Sequence, residues 1–446
     1  MPKLSLPPGP QSQPLFGNLI SFRRDPLHFL STCAKQYGDI SHFRIANVNA
    51  YLLSDPDFIE YVLVRNSANF IKGRVFRSNH LLLGNGLLTS ESDFWRRQRR
   101  LTQPAFHREQ INAYAKIITN SAGRMISIWK EGEIHDIYQD MKRLALEIIT
   151  KILFDVDINS ESDNIGRALK VVWEEFTARI QSGLLIPERL PTPGNIRYRR
   201  AVRQLDRIVF RIIQERRSGN LDHNDCLSIL LASQDMDGSQ MTDQQLRDEV
   251  MTLFIAGHES TALALTWTWY LLAQNPSVVS QLCAELEEVP GTHPPDMNDL
   301  PQLQFTECVI KEALRLYPPV WAIPRQSLND CEIGGYQIPA GASLTISQWV
   351  MHRDPRYFEE PDKFRPGRWE NGFEKRLPSF AYFPFGGGSR HCIAYSLAMV
   401  EAVLIIAMLA KKFDFTLLPD HPVEPSPSIT LYPRYGLKAR ISRKGR

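Results

Sequence analysis

One run of the sequence sets the scale for everything around it. Thr242 followed three residues later by Gln245 has the form of a capping box, and the helical pattern it opens continues to about Asn275, where Pro276 stops it. At about 1.5 Å per residue this helix is on the order of 50 Å long, enough to cross a whole molecule of this size. In its middle lies "AGHEST", residues Ala256–Thr261. A glycine there costs roughly 1 kcal/mol relative to alanine, and Ser and Thr hydroxyls bond back to the preceding turn and bend a helix. Polar, helix-weakening residues at the centre of so apolar a helix need a reason. A kink packed in the core is the plainest one.

The 446 residues set a soft prior of about three domains, or one unusually large one. Amphipathic stretches fall near 26–37, 92–102, 110–130, 136–154, 196–217 and 301–316. Strand-like pieces are short: "DISHFRI" and "NAYLLS" early, and "DCEIGGYQIPAGASLTIS" late, which reads as a small hairpin turning at Gly334–Gly335. Pro7, Pro8, Pro10 and Pro14 stiffen the start of the chain. Internal repeats and a domain-separating linker are both missing. The expectation is a mainly helical α+β fold with small sheets, one unit over residues 1–446.

Composition narrows the function. Fifty-two basic against 49 acidic residues leave a net charge of +3, too near balance to suggest a nucleic-acid binder. The six cysteines have neither a CxxC nor any regular spacing, which disfavours a disulfide framework and a structural zinc site and points to a reducing compartment. No uninterrupted apolar run reaches the eighteen or so residues of a membrane span. The two nearest, "LFIAGHESTALALTWTWYLLA" and "SLAMVEAVLIIAMLA", carry His258–Glu259 and Glu401. No charged-then-apolar leader follows Met1, so no signal peptide is expected and the cytoplasm is the default.

The sharpest local feature is "FPFGGGSRHCIAYSLAMV", from Phe383 to Val400. Three glycines, an arginine, a histidine and Cys392 run straight into an apolar helical pattern. A thiolate is the form of cysteine that ligates metals, and a helix N-terminus stabilises it with free N–H groups and a positive dipole end. Zinc would want three more ligands that the other cysteines do not space out. A cysteine nucleophile wants a histidine base, and His391 is its sequence neighbour, which points elsewhere on most backbones. Phosphate cradling would need a G-x-x-x-x-G-K-S/T spacing that "GGGSR" lacks. What remains is an axial thiolate for a haem iron.

At these residues the chain resembles the cytochrome P-450 family. "FGGGSRHCIA" is similar to its haem-binding signature F-x-x-G-x-R-x-C-x-G at Phe385, Gly388, Arg390 and Cys392, with Ala394 where glycine is usual. "EALR" supplies Glu312 and Arg315, three apart on one helix face. They resemble the family's E-x-x-R pair, which Arg368 from "PDKFRPGRW" joins as a structural triad. In "DFWRRQRRLTQPAF", Trp95 and Arg99 resemble W-x-x-x-R, whose members donate to a haem propionate; Arg390 and, more loosely, Arg325 are similar to further propionate donors. "AGHEST" resembles the oxygen-activation motif A/G-G-x-D/E-T-T/S. Glu259 takes the acid position, Ser260 the alcohol position where threonine is commonest, Thr261 follows it, and Ala256 leaves room over the ring. The plain-kink reading recedes accordingly.

The resemblance covers essentially the whole chain and implies the triangular, mostly helical P-450 prism. It implies haem b held by Cys392, and monooxygenation of a lipophilic small molecule (fatty acid, terpenoid, steroid or polyketide) with dioxygen. Substrate contacts are expected from 75–90, 173–187, Leu253–Ala256 and "VWAIP" at 320–324. "GLLIPERLPTP" reads as a lid over the substrate channel, with a dip into a bilayer surface as its alternative. No fused reductase or transmembrane anchor is expected, so the family precedent is a separate ferredoxin with its reductase, serving a monomer. The arginines beside Trp95 and Arg99, with Lys375 and Arg376, are expected to offer that partner a basic face. A peroxygenase or isomerase on the same fold, or a haem-binding sensor, are the alternatives.

Overall fold

The structure, a computed structural model, describes residues 6–74, 79–155, 167–169, 171–172, 174–175, 190–219, 225–289 and 293–444. The chain groups into two compact units: one from residues 1–74, 307–395 and 425–432, the other from 75–306, 396–424 and 433–446.

The first unit holds a five-stranded sheet in the order Ile40–Ile45, Val48–Leu53, Ser343–Ile346, Ile323–Ser327, Phe70–Lys72. The first two strands form a tight antiparallel hairpin, with Ile40 opposite Leu53 and Ile45 opposite Val48. Ser343–Ile346 then joins in parallel, pairing Ala50 with Ser343 and Leu53 with Ile346. Leu53, Leu344 and Ile346 lie fully buried in the core beneath it. The late segment expected to be one hairpin divides in two. Cys331–Ile333 and Tyr336–Ile338 do form a hairpin, and Gly334 and Gly335 turn it with φ of +59° and +81°. A second turn, closed by the Ala342 N–H on the Pro339 carbonyl at 3.2 Å, then sends "SLTI" into the larger sheet. Its alternation, with Leu344 and Ile346 buried, is satisfied only there.

The second unit is built on the long helix, Asp243–Ala273, 31 residues. Its capping box is present: Thr242 Oγ1 accepts from the Gln245 N–H at 3.2 Å, and Gln245 Oε1 accepts from the Thr242 N–H at 2.9 Å. Along it packs the Tyr138 helix, Ile137–Phe154, whose N-cap Asp136 accepts from the Tyr138 and Gln139 N–H groups. Gly257 does not break the long helix. A Cβ there would lie 2.9 Å from Ile149 Cδ1 on the Tyr138 helix, so the glycine serves close helix–helix approach. Also in this unit are the Trp95 helix, Ser92–Thr102, and the arginine-rich helix, Pro193–Ser218. The strands Ile134–Asp136, Lys438–Arg443 and Phe413–Leu417 make a small antiparallel sheet. The α+β class is as expected: helices dominate and the sheets are small. Among the described residues, no helix is long and apolar enough to cross a membrane.

Candidate active site

The cysteine loop is held by its own backbone. The Gly386 N–H donates to the Phe383 carbonyl at 2.9 Å, the His391 N–H to Gly388 at 3.1 Å, and the Cys392 N–H to Phe385 at 3.0 Å. The Phe383 N–H donates in turn to buried His352 Nε2 at 2.9 Å. Gly388 has φ +65°, and a Cβ there would sit 2.1 Å from the Leu63 carbonyl oxygen. No other residue fits. Cys392 is half-buried, and three residues on begins the terminal helix, Tyr395–Ala410. The Phe385 ring packs edge-on against Tyr395 at 4.8 Å. Burial pushes the Cys33 thiol up to about 11 and raises Cys226 further still, so neither is a source of thiolate near neutral pH. None of the six cysteines is joined in a disulfide, and among the described residues no cluster of His, Cys, Asp and Glu can hold a metal ion.

Behind the loop the structure brings Glu312, Arg315 and Arg368 together. Arg315 donates two bonds to Glu312, at 2.9 and 2.8 Å, and Arg368 Nε a third at 3.0 Å. Glu312 and Arg315 are fully buried. Two partners escape sequence reasoning: Trp369 Nε1 donates to Glu312 Oε2 at 2.8 Å, and the Arg365 N–H to Oε1 at 3.0 Å. Arg315 spends its other donors on the carbonyls of His352, Pro361 and Lys363. With every lone pair and N–H engaged, the charges are compensated in place. Two of these carbonyls, those of Pro361 and Lys363, come from the "PDKFR" segment before the cysteine loop. Its contacts are long-range, so spacing cannot show them.

Of the expected propionate donors, Arg325 lies half-buried in its strand and donates Nη1 to the Pro324 carbonyl at 3.0 Å. Arg390 is half-buried in the single helical turn Gly388–Arg390. In the second unit Trp95 is buried and Arg99 half-buried, one turn apart on their helix. The neighbouring arginines are not an open basic face. Arg97 and Arg100 both pair with Asp235, Nε–Oδ2 at 3.0 Å and Nη2–Oδ1 at 2.6 Å, and Arg96 pairs with Asp93.

"AGHEST" sorts its side chains by direction. Glu259 is buried and accepts from the Tyr138 hydroxyl, with Lys142 Nζ 3.3 Å from its Oε2. Tyr138 and Lys142 stand one turn apart on the Tyr138 helix. His258 is buried beside Glu259, and desolvation lowers its pKa to about 4, so it is neutral at pH 7. Thr261 is buried against Glu401, whose carboxyl burial pushes up to about 8 while the hydrogen bond with Thr261 lowers it. Ser260 faces the other way and donates to the Ala256 carbonyl at 2.7 Å. Ala256 is exposed, and Ser260 and Ala264 are only half-buried, although nearly every other residue from Leu246 to Leu272 is buried. Residues 256, 260 and 264 share one ridge of the helix. A stripe of small side chains is thus left uncovered at the motif, and it fits a flat apolar group laid against the helix. The 75–78 and 176–187 parts of the expected substrate contacts, residue 173, and most of "GLLIPERLPTP" lie outside the described residues.

The sequence profile of the cytochrome P450 family matches residues 7–438. Cyclooctat-9-en-7-ol 5-monooxygenase of Streptomyces melanosporofaciens is 37% identical over 412 residues, covering 92% of this chain and 89% of that protein. Pentalenene oxygenase of Streptomyces avermitilis is 32% identical over 437 residues, covering 97% and 96%. The solved structure of retinoic acid bound cyanobacterial CYP120A1 superposes with a TM-score of 0.89 at 25% identity, over 99% of this chain and 100% of that one. The chain belongs to the cytochrome P450 family: it is a monooxygenase that binds haem b through a cysteine thiolate and oxygenates a lipophilic small molecule.

Proposed function

We propose that the chain hydroxylates a terpenoid, with Cys392 as the thiolate ligand of its haem and residues 1–446 acting as one haem domain. The observation that carries the site reading is the uncovered stripe at Ala256, Ser260 and Ala264. It lies on the one helix that holds the acid–alcohol pair, and only small side chains line it. The terpenoid class is supported by the relatives named for cyclooctat-9-en-7-ol and pentalenene.

Haem, when bound, supplies the oxidising chemistry: with dioxygen, two electrons and two protons, one oxygen atom enters a C–H bond and the other leaves as water. The chain's residues do the rest. Cys392 Sγ would hold the iron, in a loop that Gly388 keeps close to Leu63 and that Phe385 packs against Tyr395. Trp95, Arg99, Arg325 and Arg390 are the residues that would donate charge-assisted hydrogen bonds to the haem propionates. Ser260 Oγ holds a proton at the open stripe. Glu259 and Thr261 back it from the buried side. Glu259 relays protons from the half-exposed Lys142 by turning its carboxylate off Tyr138. Glu312, Arg315 and Arg368 are structural.

The family requires a separate source of electrons. We assign it to a ferredoxin and its reductase, serving a cytoplasmic monomer. Reconstitution with such a pair and a reductant, over pentalenene, cyclooctat-9-en-7-ol, retinoic acid and a long-chain fatty acid, tests the proposal. Hydroxylated terpenoid, dependent on both reductant and dioxygen, is expected. Turnover of the fatty acid alone would overturn the terpenoid reading, and product formed without dioxygen would overturn the reaction.

A further inference from the structure

Just before the uncovered stripe, the long helix carries two adjacent buried acids, Asp248 and Glu249, with 6% and 0% of their surface exposed. Buried carboxylates are costly unless hydrogen-bonded, and a purely packing role would be filled better by an apolar residue. Both are spent on one loop. Asp248 Oδ2 accepts from the Asn85 N–H at 2.8 Å, and Glu249 Oε2 from the Leu87 N–H at 3.1 Å. Asp248 Oδ1 is held from behind by Gln244 Nε2 at 2.8 Å and Arg247 Nη1 at 3.1 Å. Arg247 ties the same region down, donating to the Leu81 carbonyl at 3.2 Å while Asp206 anchors it at 2.7 Å.

The loop is shaped to this contact. At Gly84, φ is +51° and a Cβ would lie 2.0 Å from the Asp248 carboxyl; at Gly86 it would lie 2.3 Å from Thr252 Oγ1. Residues 248, 252, 256, 260 and 264 form a single i+4 ridge. The loop covers the ridge at 248 and 252, and the ridge opens at 256. Within the loop, Leu87 is buried and Leu88 half-buried.

We propose that Asp248 and Glu249 are positioning residues: they latch residues 84–88 as a fixed end wall of the open stripe, and the wall sets which lipophilic molecules fit. This rests on the stripe being the substrate side. None of the latch bonds runs to a residue assigned to the haem, so loosening the latch should leave iron-directed ligands untouched.

The test uses holoenzyme carrying Asp248→Ala, Glu249→Leu or the conservative Glu249→Gln. Two measurements are made: amide hydrogen exchange over residues 84–90, and optical titration with pentalenene, retinoic acid and imidazole. Losing one such bond should speed exchange at 84–90 about tenfold. It should weaken pentalenene or retinoic acid about fivefold or more while leaving imidazole within about twofold. Glu249→Gln, which keeps an acceptor, should restore most of both. Unchanged exchange at 84–90 overturns the latch, as does an equal loss of imidazole, which would mean general loosening. If wild-type protein gives no optical response to either lipophile, the terpenoid reading fails. Faster exchange confined to 84–90 then still supports the latch, and unchanged exchange still refutes it.

Discussion

Glu401 and His258 sit in the same unit and pull pH dependence in opposite directions. The folded state raises the Glu401 carboxyl to about 8, so it binds its proton more tightly than the unfolded chain and stability falls as pH rises toward 8. His258 is lowered to about 4, so its contribution is lost as pH falls from 6.5 toward 4. Below pH 6.5 the two slopes offset each other. Between pH 6.5 and 8 only the glutamate remains, and it should cost about 2 kcal/mol across that window. Denaturant unfolding of holoenzyme should show this fall, and Glu401→Gln should flatten it; an unchanged slope in the variant would show that the carboxyl titrates elsewhere. At Glu312 the expected effect is larger. Glu312→Ala strands the buried charge of Arg315 and should destabilise by about 3–5 kcal/mol, read by the same denaturant unfolding. Glu312 and Arg315 were legible from their spacing. Trp369 was not, because it meets Glu312 only after the chain has travelled 57 residues and turned back.

Among the elements, those written locally were readable. Thr242 and Gln245 state the start of the long helix within four residues, and Pro26, Pro193 and Pro276 each stand at the first position of a helix. "SLTI" was misassigned to the hairpin because its partners, Val48–Leu53, lie nearly three hundred residues away. Nothing local in the sequence sets Asp248 and Glu249 apart, for the same reason: their loop partners lie over 160 residues upstream. The cysteine loop is an element without regular structure, and its shape depends on glycine at a set position. Gly388→Ala would put a methyl group 2.1 Å from the Leu63 oxygen. The variant should lose most bound haem, measured as absorbance ratio after purification, while Gly335→Ala, whose Cβ meets nothing within 4 Å, should retain it.

For the whole molecule, the open question is where electrons enter. Arg97 and Arg100 are tied to Asp235, so Arg97→Gln should change the rate of reduction by a ferredoxin less than about twofold at low salt. Lys375 is exposed on the short helix Phe373–Arg376. Charge reversal there, Lys375→Glu, should slow reduction by about fivefold or more at low salt and converge on wild type as salt rises. The reverse ranking would place docking at the Trp95 helix after all. The family, fold class and motifs were legible across the whole length, since each motif is short and contiguous. The pairing of the basic helix with residue 235 was not, being set by tertiary contact. All of it depends on the iron being held through sulfur at residue 392. The most direct test is the absorption spectrum of the reduced carbonyl adduct, for wild type and Cys392→His. Wild type should show the long-wavelength Soret band of thiolate ligation and the variant should lose it; a histidine-type band in correctly folded wild-type protein, or a thiolate band that survives the substitution, would contradict the account.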